Sequence, residues 1–66
     1  MKIRLNGVEV DLASDATVTQ AVAAAGAPMR GVAVAVDGSV IPRSEWDRST
    51  LREGAQVEVV TAAAGG

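Results

Sequence analysis

The sequence predicts an α+β fold in which one helix packs across a mixed sheet of roughly four or five strands. Three observations predict it: two Gly-containing turns flanked by apolar residues, a capping sequence followed by a helical apolar stripe, and a valine-rich final segment. The chain has 66 residues. A single domain of this size is too small to enclose a deep active site.

Asn6-Gly7 predicts the first hairpin, because a type I′ turn requires positive φ at both central residues and these two tolerate it. The turn places Leu5 opposite Val8 and fixes the register of the pairs that follow. One face of the hairpin is then apolar: Met1, Ile3, Leu5, Val8, Val10 and Leu12. The other face carries two opposite-charge pairs, Lys2 with Asp11 and Arg4 with Glu9.

The segment from Thr17 to Gln20 has the form of a capping box and predicts the start of a helix. Gly26 followed by Pro28 predicts its end. Its apolar stripe consists of Val18, Ala21, Val22 and Ala25. A helix of about eight residues does not persist alone, so we expect it to pack on the apolar face of the hairpin.

Val32–Val36 alternates valine with alanine and predicts a strand. We expect its valines to be buried on one face and its alanines to be closely covered on the other. Asp37-Gly38 predicts a second hairpin turn, which leads into a short strand at residues 40–41. Pro42 ends that strand because it has no N–H to donate.

Residues 44–47 predict a single capped turn that folds Trp46 over the end of the core. Glu53-Gly54 predicts another turn. The last strand then begins with Val57, Val59 and Val60.

The order of these elements allows the last strand to lie parallel to the first through a right-handed crossover, with both in the middle of the sheet. This is the β-grasp arrangement of ubiquitin-like folds. We expect residues 1–61 to form the domain and residues 62–66 to form a mobile tail. Five extended residues reach roughly 17 Å, which is enough to enter the active site of a partner.

Composition excludes several classes of function. The chain contains no Cys and no His, so the usual nucleophile-base pairs and most transition-metal sites lack their residues. A net charge of −2 and a single aromatic residue, Trp46, disfavour nucleic-acid binding. No apolar run is long enough to span a membrane. We expect a cytoplasmic protein without a catalytic site, a metal site or a bound cofactor.

Gly65-Gly66 is the most informative feature for function. An α-carboxyl group is ionised near neutral pH, and two residues without Cβ can thread a narrow channel. The Gly66 carboxylate can therefore attack the α-phosphate of a nucleotide that another protein holds. The predicted carrier site is Gly66, and the segment expected to enter partner active sites is Ala62, Ala63, Ala64, Gly65 and Gly66.

Four segments match the pattern of a known family: Val34-Ala35-Val36-Asp37-Gly38, Val40-Ile41-Pro42-Arg43 with Trp46, Glu53-Gly54 before a valine-rich strand, and Ala64-Gly65-Gly66. With these segments the chain resembles the ThiS family of sulfur carriers in thiamine biosynthesis. The string from Ile41 to Trp46 is the more specific signal, because molybdopterin-branch carriers share the fold and the di-glycine.

The resemblance implies chemistry at Gly66 in three steps. A ThiF-type enzyme adenylates the carboxylate and consumes ATP, and sulfur from a cysteine desulfurase then converts it to a thiocarboxylate. Thiazole synthase, of the ThiG type, finally accepts the sulfur. The chain would be a carrier and co-substrate, not an enzyme. Pro42 and Arg43 either shape a turn or dock a partner.

Other functions remain open at this point. A carrier of the same chemistry that serves another pathway, such as molybdopterin or cysteine synthesis, is one alternative, and a ubiquitin-like modifier joined to lysines through Gly66 is another. A β-grasp binding domain whose terminal glycines are incidental is the third alternative.

Overall fold

The computed structural model describes residues 1–28 and 30–61. Within these ranges the elements are β1 (Lys2–Leu5), β2 (Val8–Asp11), α1 (Val18–Ala24), β3 (Val32–Val36), β4 (Ser39–Val40), a 3₁₀ helix (Arg43–Glu45) and β5 (Gln56–Thr61). The strands of the described part form one mixed sheet in the order β2-β1-β5-β3-β4. β5 runs parallel to β1 and antiparallel to β3. The predicted β-grasp arrangement is therefore confirmed.

The first hairpin has the predicted turn and register. Asn6 and Gly7 have φ of 51° and 82°, and Leu5 pairs with Val8. The apolar face of the hairpin is not covered as far as its tip, where Val8 is 62% exposed. Val8 begins an edge strand beside the turn, where fewer neighbours cover it. On the other face, Arg4 directs its Nη2 to the Gly7 carbonyl oxygen at 2.9 Å.

The second hairpin also has the predicted turn, with φ of 50° at Asp37 and 87° at Gly38. Its second strand, β4, lies one residue earlier than predicted, at Ser39–Val40. Ile41 still donates its N–H to the Val34 carbonyl oxygen at 2.9 Å. Pro42 comes next and has no N–H to continue the pairing.

The alanines of β3 contradict one expectation. Ala33 is exposed and Ala35 is half-buried, so this face is not closely covered. The reason is that α1 packs on the other face of the sheet, where Val34 is buried in the core.

The start of α1 confirms the capping box. Thr17 is the N-cap, and its N–H donates to Gln20 Oε1 at 2.7 Å. The Val18 N–H, which has no partner within the helix, donates to the Ser49 carbonyl oxygen at 2.9 Å. A helix too short to persist alone is thus tied at its first turn to the segment before β5.

The end of α1 is a Schellman motif. The N–H of Ala27 donates to the Val22 carbonyl oxygen at 3.3 Å, and Gly26 supplies the left-handed residue with φ of 72°. The sequence pattern predicts that Ala25 extends the apolar stripe, but Ala25 is exposed. The helix ends at Ala24, so Ala25 already belongs to the turn that leaves the sheet.

The core lies between α1 and one face of the sheet. Trp46 closes one end of it with only 1% of its surface exposed, as predicted, and its Nε1 donates to the Ile41 carbonyl oxygen at 3.0 Å. The core residues from α1 and the central strands are Val18, Ala21, Val22, Ile3, Leu5, Val34, Val57 and Val59.

Candidate functional site

The candidate site is the end of β5, from which the chain continues towards Gly66. β5 runs to Thr61, and β3 accompanies it to that point because Val32 pairs with Thr61. The predicted carrier residue Gly66 and the other residues of the segment 62–66 lie outside the described residues, as does the predicted domain boundary between residues 61 and 62. The structure therefore defines the strand that presents this segment.

On its other side, β5 is longer than the strand it pairs with. β1 ends at Leu5, where the chain enters the Asn6-Gly7 turn. The Asn6 side chain continues the pairing: its Oδ1 accepts from the Val59 N–H at 2.8 Å, and its Nδ2 donates to the Val59 carbonyl oxygen at 3.3 Å. The Asn6 amide thus binds both main-chain groups of Val59.

Sequence reasoning missed this second role of Asn6, because it treats Asn6 only as a turn residue. A signal for the role exists in the sequence. Once β1 is predicted to lie parallel to β5, the residue that ends β1 is adjacent to β5, and Asn offers both a donor and an acceptor there.

Three chain segments meet at the same end of the sheet. β1 and β4 both run in the direction of β5, because β1 is parallel to β5 and β4 is antiparallel to β3. The turn after β1, the end of β5 and the residues after β4 therefore lie along one edge. Ile41 is bonded to Val34, which pairs with Val59, so Ile41 lies two strand spacings, about 10 Å, from β5.

Pro42 and Arg43, the candidate docking residues, come after Ile41 at this edge, and both are exposed. Arg43 has a partner within the chain, since its guanidinium carbon lies 4.6 Å from the centroid of the Trp46 ring. This cation–π contact supports the turn-shaping reading of Arg43. It does not test docking, which stays a prediction.

The face of the sheet opposite α1 carries an apolar patch near the end of β5. Val60 pairs with Ala33, and Val40 pairs with Ala35, so these side chains share one face. Val60 and Val40 are 62% and 72% exposed. We call this surface the open-face patch; it consists of Ala33, Ala35, Val40 and Val60.

The described residues contain few of the features of a reactive site. No polar or charged side chain among residues 1–28 and 30–61 is buried. Within the same ranges, no three His, Cys, Asp or Glu side chains come together in a way that could hold a metal ion. None of the helices in the described part is long and apolar enough to cross a membrane.

Comparison with known proteins decides the family. A family model described as the ThiS family matches residues 3–66. The chain belongs to the ThiS family. Membership implies a sulfur-carrier role in thiamine biosynthesis, as the resemblance from sequence predicted.

Solved structures agree with this assignment. A crystal structure of the thiamine biosynthesis protein ThiS from Geobacter metallireducens superposes with a TM-score of 0.81 at 28% identity, covering 100% of both chains. A solution NMR structure of a thiamine biosynthesis protein from the same organism gives 0.79 at 32% identity, covering 100% of this chain and 88% of the other. No curated protein sequence matches this ThiS-family chain.

Proposed function

We propose that this ThiS-family chain carries sulfur on the carboxylate of Gly66. A ThiF-type enzyme joins the carboxylate to AMP from ATP and releases pyrophosphate. The terminal sulfur of a persulfide, formed by a cysteine desulfurase, displaces AMP. A thiol then cleaves the sulfur–sulfur bond, which releases the Gly66 thiocarboxylate and leaves a disulfide. Thiazole synthase takes the sulfur from this thiocarboxylate.

The observation that carries the proposal is the family match, which runs through Gly66. Physical chemistry supports it, because adenylation replaces a poor leaving group by AMP and divides a difficult substitution into easier steps. The described body adds a scaffold whose central strand leads to the reacting residue. In this proposal the protein is a co-substrate and its partners perform the catalysis.

We expect the activating enzyme to dock on the open-face patch. Val60 belongs to this patch and is followed directly by Thr61 and the segment that leads to Gly66. A partner that holds the segment in its active site must also meet the body where β5 ends. The four apolar residues of the patch suit contact with an apolar surface of the enzyme, and Glu58, which pairs with Ala35 on the same face, adds an exposed negative charge beside them.

Sulfur loading is tested by intact-protein mass. The chain is incubated with ATP, a ThiF-type enzyme, a cysteine desulfurase and cysteine. We expect a mass gain equal to exchange of one oxygen for one sulfur. A chain extended by one residue beyond Gly66 is the matched control and should show no gain. An unchanged mass, under conditions that load another ThiS-family carrier, would refute the proposal.

The loaded protein then separates the carrier pathways. We expect thiazole synthase to consume the thiocarboxylate in the presence of deoxyxylulose phosphate and a glycine-derived imine. Consumption only by a molybdopterin or cysteine synthase would place the carrier in another pathway. Transfer of the chain to lysines would make it a modifier.

Gly65→Ala tests how the segment enters the activating enzyme. The added methyl group should leave the fold intact and impair adenylation, because the channel of the partner must accept it. The readouts are the circular dichroism spectrum and the rate of pyrophosphate release. Normal adenylation of this variant would contradict the narrow-channel argument.

Docking on the open-face patch is tested with two valines of equal exposure. Val60 and Val8 are both 62% exposed, but only Val60 lies in the patch. We expect Val60→Lys to raise the KM of the activating enzyme for this chain by about tenfold, equivalent to about 1.4 kcal/mol. Val8→Lys should change it by less than about twofold. Equal effects would exclude the patch as the docking surface.

A further inference from the structure

The residues that open the two hairpin turns both use their side chains to bind β5. Asn6 binds the Val59 main chain near the end of β5. Asp37 binds its start, where Oδ1 accepts from the Gln56 N–H at 2.9 Å. Both turn residues have φ close to 50°. The first residue of each turn therefore binds β5 through its side chain, Asn6 from the β1 side near the end of β5 and Asp37 from the β3 side at its start.

Asn6 takes the place of a peptide group that β1 does not supply. Its own N–H donates to the Val57 carbonyl oxygen at 2.9 Å, which is the last main-chain bond of the parallel ladder. If β1 continued, the main-chain oxygen of residue 6 would accept from the Val59 N–H, and the N–H of residue 8 would donate to the Val59 carbonyl oxygen. The side-chain amide makes both bonds instead.

The Asp37 side chain takes the place of only one main-chain group, an acceptor for the Gln56 N–H. The Asp37 N–H donates to the Gln56 carbonyl oxygen at 2.8 Å, so its side chain needs only to accept. A carboxylate is sufficient for that bond, whereas Val59 presents both a donor and an acceptor, which an amide can satisfy together. The Asn6 side chain therefore makes two bonds to β5, and the Asp37 side chain makes one.

The position of Val59 gives Asn6 a consequence that Asp37 lacks. Beyond Val59, β5 has Val60 and Thr61 before the segment that leads to Gly66. On the side of β3, pairing continues to Thr61. On the side of β1, the Asn6 amide holds the strand after Leu5 has ended β1. Without the Asn6 amide, β5 would be held near Val59 only from the side of β3.

We propose that Asn6 is a positioning residue for sulfur carriage: its amide holds Val59 and so sets the direction of β5 at its end, from which the chain continues to the residue that the partner must reach. This inference rests on the proposed function. Holding a reactant in the right orientation lowers the barrier because less orientational freedom is lost on the way to the transition state.

The test compares Asn6→Gly with Asp37→Gly. Glycine keeps the positive φ that each turn needs, and each variant loses one side-chain connection to β5. The measurements are kcat and KM for pyrophosphate release with a ThiF-type enzyme, calculated per folded molecule. Amide hydrogen exchange at Val59 and Gln56 reports whether each connection has been lost.

Asn6→Gly removes both side-chain bonds to Val59, and we expect kcat to fall by about fivefold because the reactant is less well oriented. KM should change by less than about twofold, because the docking surface is unaltered. Val59 exchange should become faster. Asp37→Gly should accelerate Gln56 exchange and leave kcat within about twofold of the wild-type value.

Asn6→Asp provides a second variant, because Asp tolerates the turn and keeps the acceptor for Val59 N–H while it loses the donor. Its kcat should lie between those of the wild type and Asn6→Gly, and it decides the matter if Asn6→Gly does not fold. Equal kcat in the Asn6 and Asp37 variants overturns the positioning role and leaves sulfur carriage intact. A wild-type chain that is not adenylated overturns both proposals.

Discussion

The two hairpins of the described chain begin with the same turn but are held in the molecule differently. The first stays paired beyond its strands, since Met1 N donates to the Leu12 carbonyl oxygen at 2.7 Å and Leu12 N donates to the Met1 carbonyl oxygen at 2.8 Å. The second loses its pairing at Pro42 and is held there by the bond from Trp46 Nε1 to Ile41.

The comparison shows that the residues that form a turn are not the ones that stabilise the hairpin beyond it. Residues with positive φ determine that each chain reverses. The residues after the turn determine how long the pairing lasts, because a ladder continues only while each strand can offer donors and acceptors. The first hairpin is supported by its own main chain, whereas the second depends on a side chain from the core.

The largest expected effect is that of Trp46→Ala. Truncation of a buried Trp costs about 3–5 kcal/mol, and a domain of this size has about 3–10 kcal/mol of stability. We expect Trp46→Ala to lower the free energy of unfolding by about 3–5 kcal/mol in urea titrations followed by circular dichroism, with the second hairpin losing amide protection first. Val8→Ala, in the first hairpin, is the control and should stay within about 0.5 kcal/mol of the wild type. Retained protection at Ile41 in Trp46→Ala would show that the second hairpin supports itself.

Glycine substitutions in the turns should have smaller and equal effects. A Cβ built on Gly7 or Gly38 meets no heavy atom of the described residues within 4 Å, so the cost is conformational. Both glycines have φ above 80°, and we expect Gly7→Ala and Gly38→Ala each to cost about 1–2 kcal/mol. Equilibrium unfolding in urea measures both. A difference above about 1 kcal/mol would show that the turns are not equivalent.

Arg43→Ala should have a still smaller effect on the second hairpin. The exposed guanidinium over Trp46 contributes about 0.5–1 kcal/mol as a cation–π contact. We expect that loss in urea unfolding, with Arg43→Lys retaining part of it. The KM of the activating enzyme should not change, because the guanidinium already faces Trp46. A raised KM for both variants would instead assign Arg43 to docking.

The smallest effect belongs to the first hairpin. Lys2 Nζ and Asp11 Oδ2 are 3.8 Å apart, with side chains that are 59% and 71% exposed. An exposed ion pair of this kind contributes about 0.2–0.5 kcal/mol, so Lys2→Ala should lower stability by no more than this. The effect should disappear at about 1 M salt, where charges are screened. An effect that persists in salt would indicate packing by the Lys2 stem.

Much of the fold was predictable because its signals are local. Asn6-Gly7 and Asp37-Gly38 specify turns through positive φ, and Thr17 with Gln20 specifies the helix start. The exposure of individual residues was less predictable. Val8, Ala25 and Ala33 are apolar or small residues in suitable patterns, but burial depends on what another part of the chain places over them.

For the candidate site, the sequence identified Gly66 and the segment 62–66, which remain predictions because they lie outside the described residues. It did not identify the Asn6 amide as a partner of Val59, since residues so far apart in sequence meet only when β1 and β5 are adjacent. It also left Arg43 undecided. Its stacking on Trp46 depends on how the 3₁₀ helix turns.

The sequence by itself determined the turns, the register of the first hairpin, the start of the helix and the family, because each depends on the conformational preferences of neighbouring residues or on a residue pattern. Only the tertiary structure decided which apolar residues are covered and which side chains bind β5. Those properties depend on distances between elements that are remote in sequence, and no local preference specifies them.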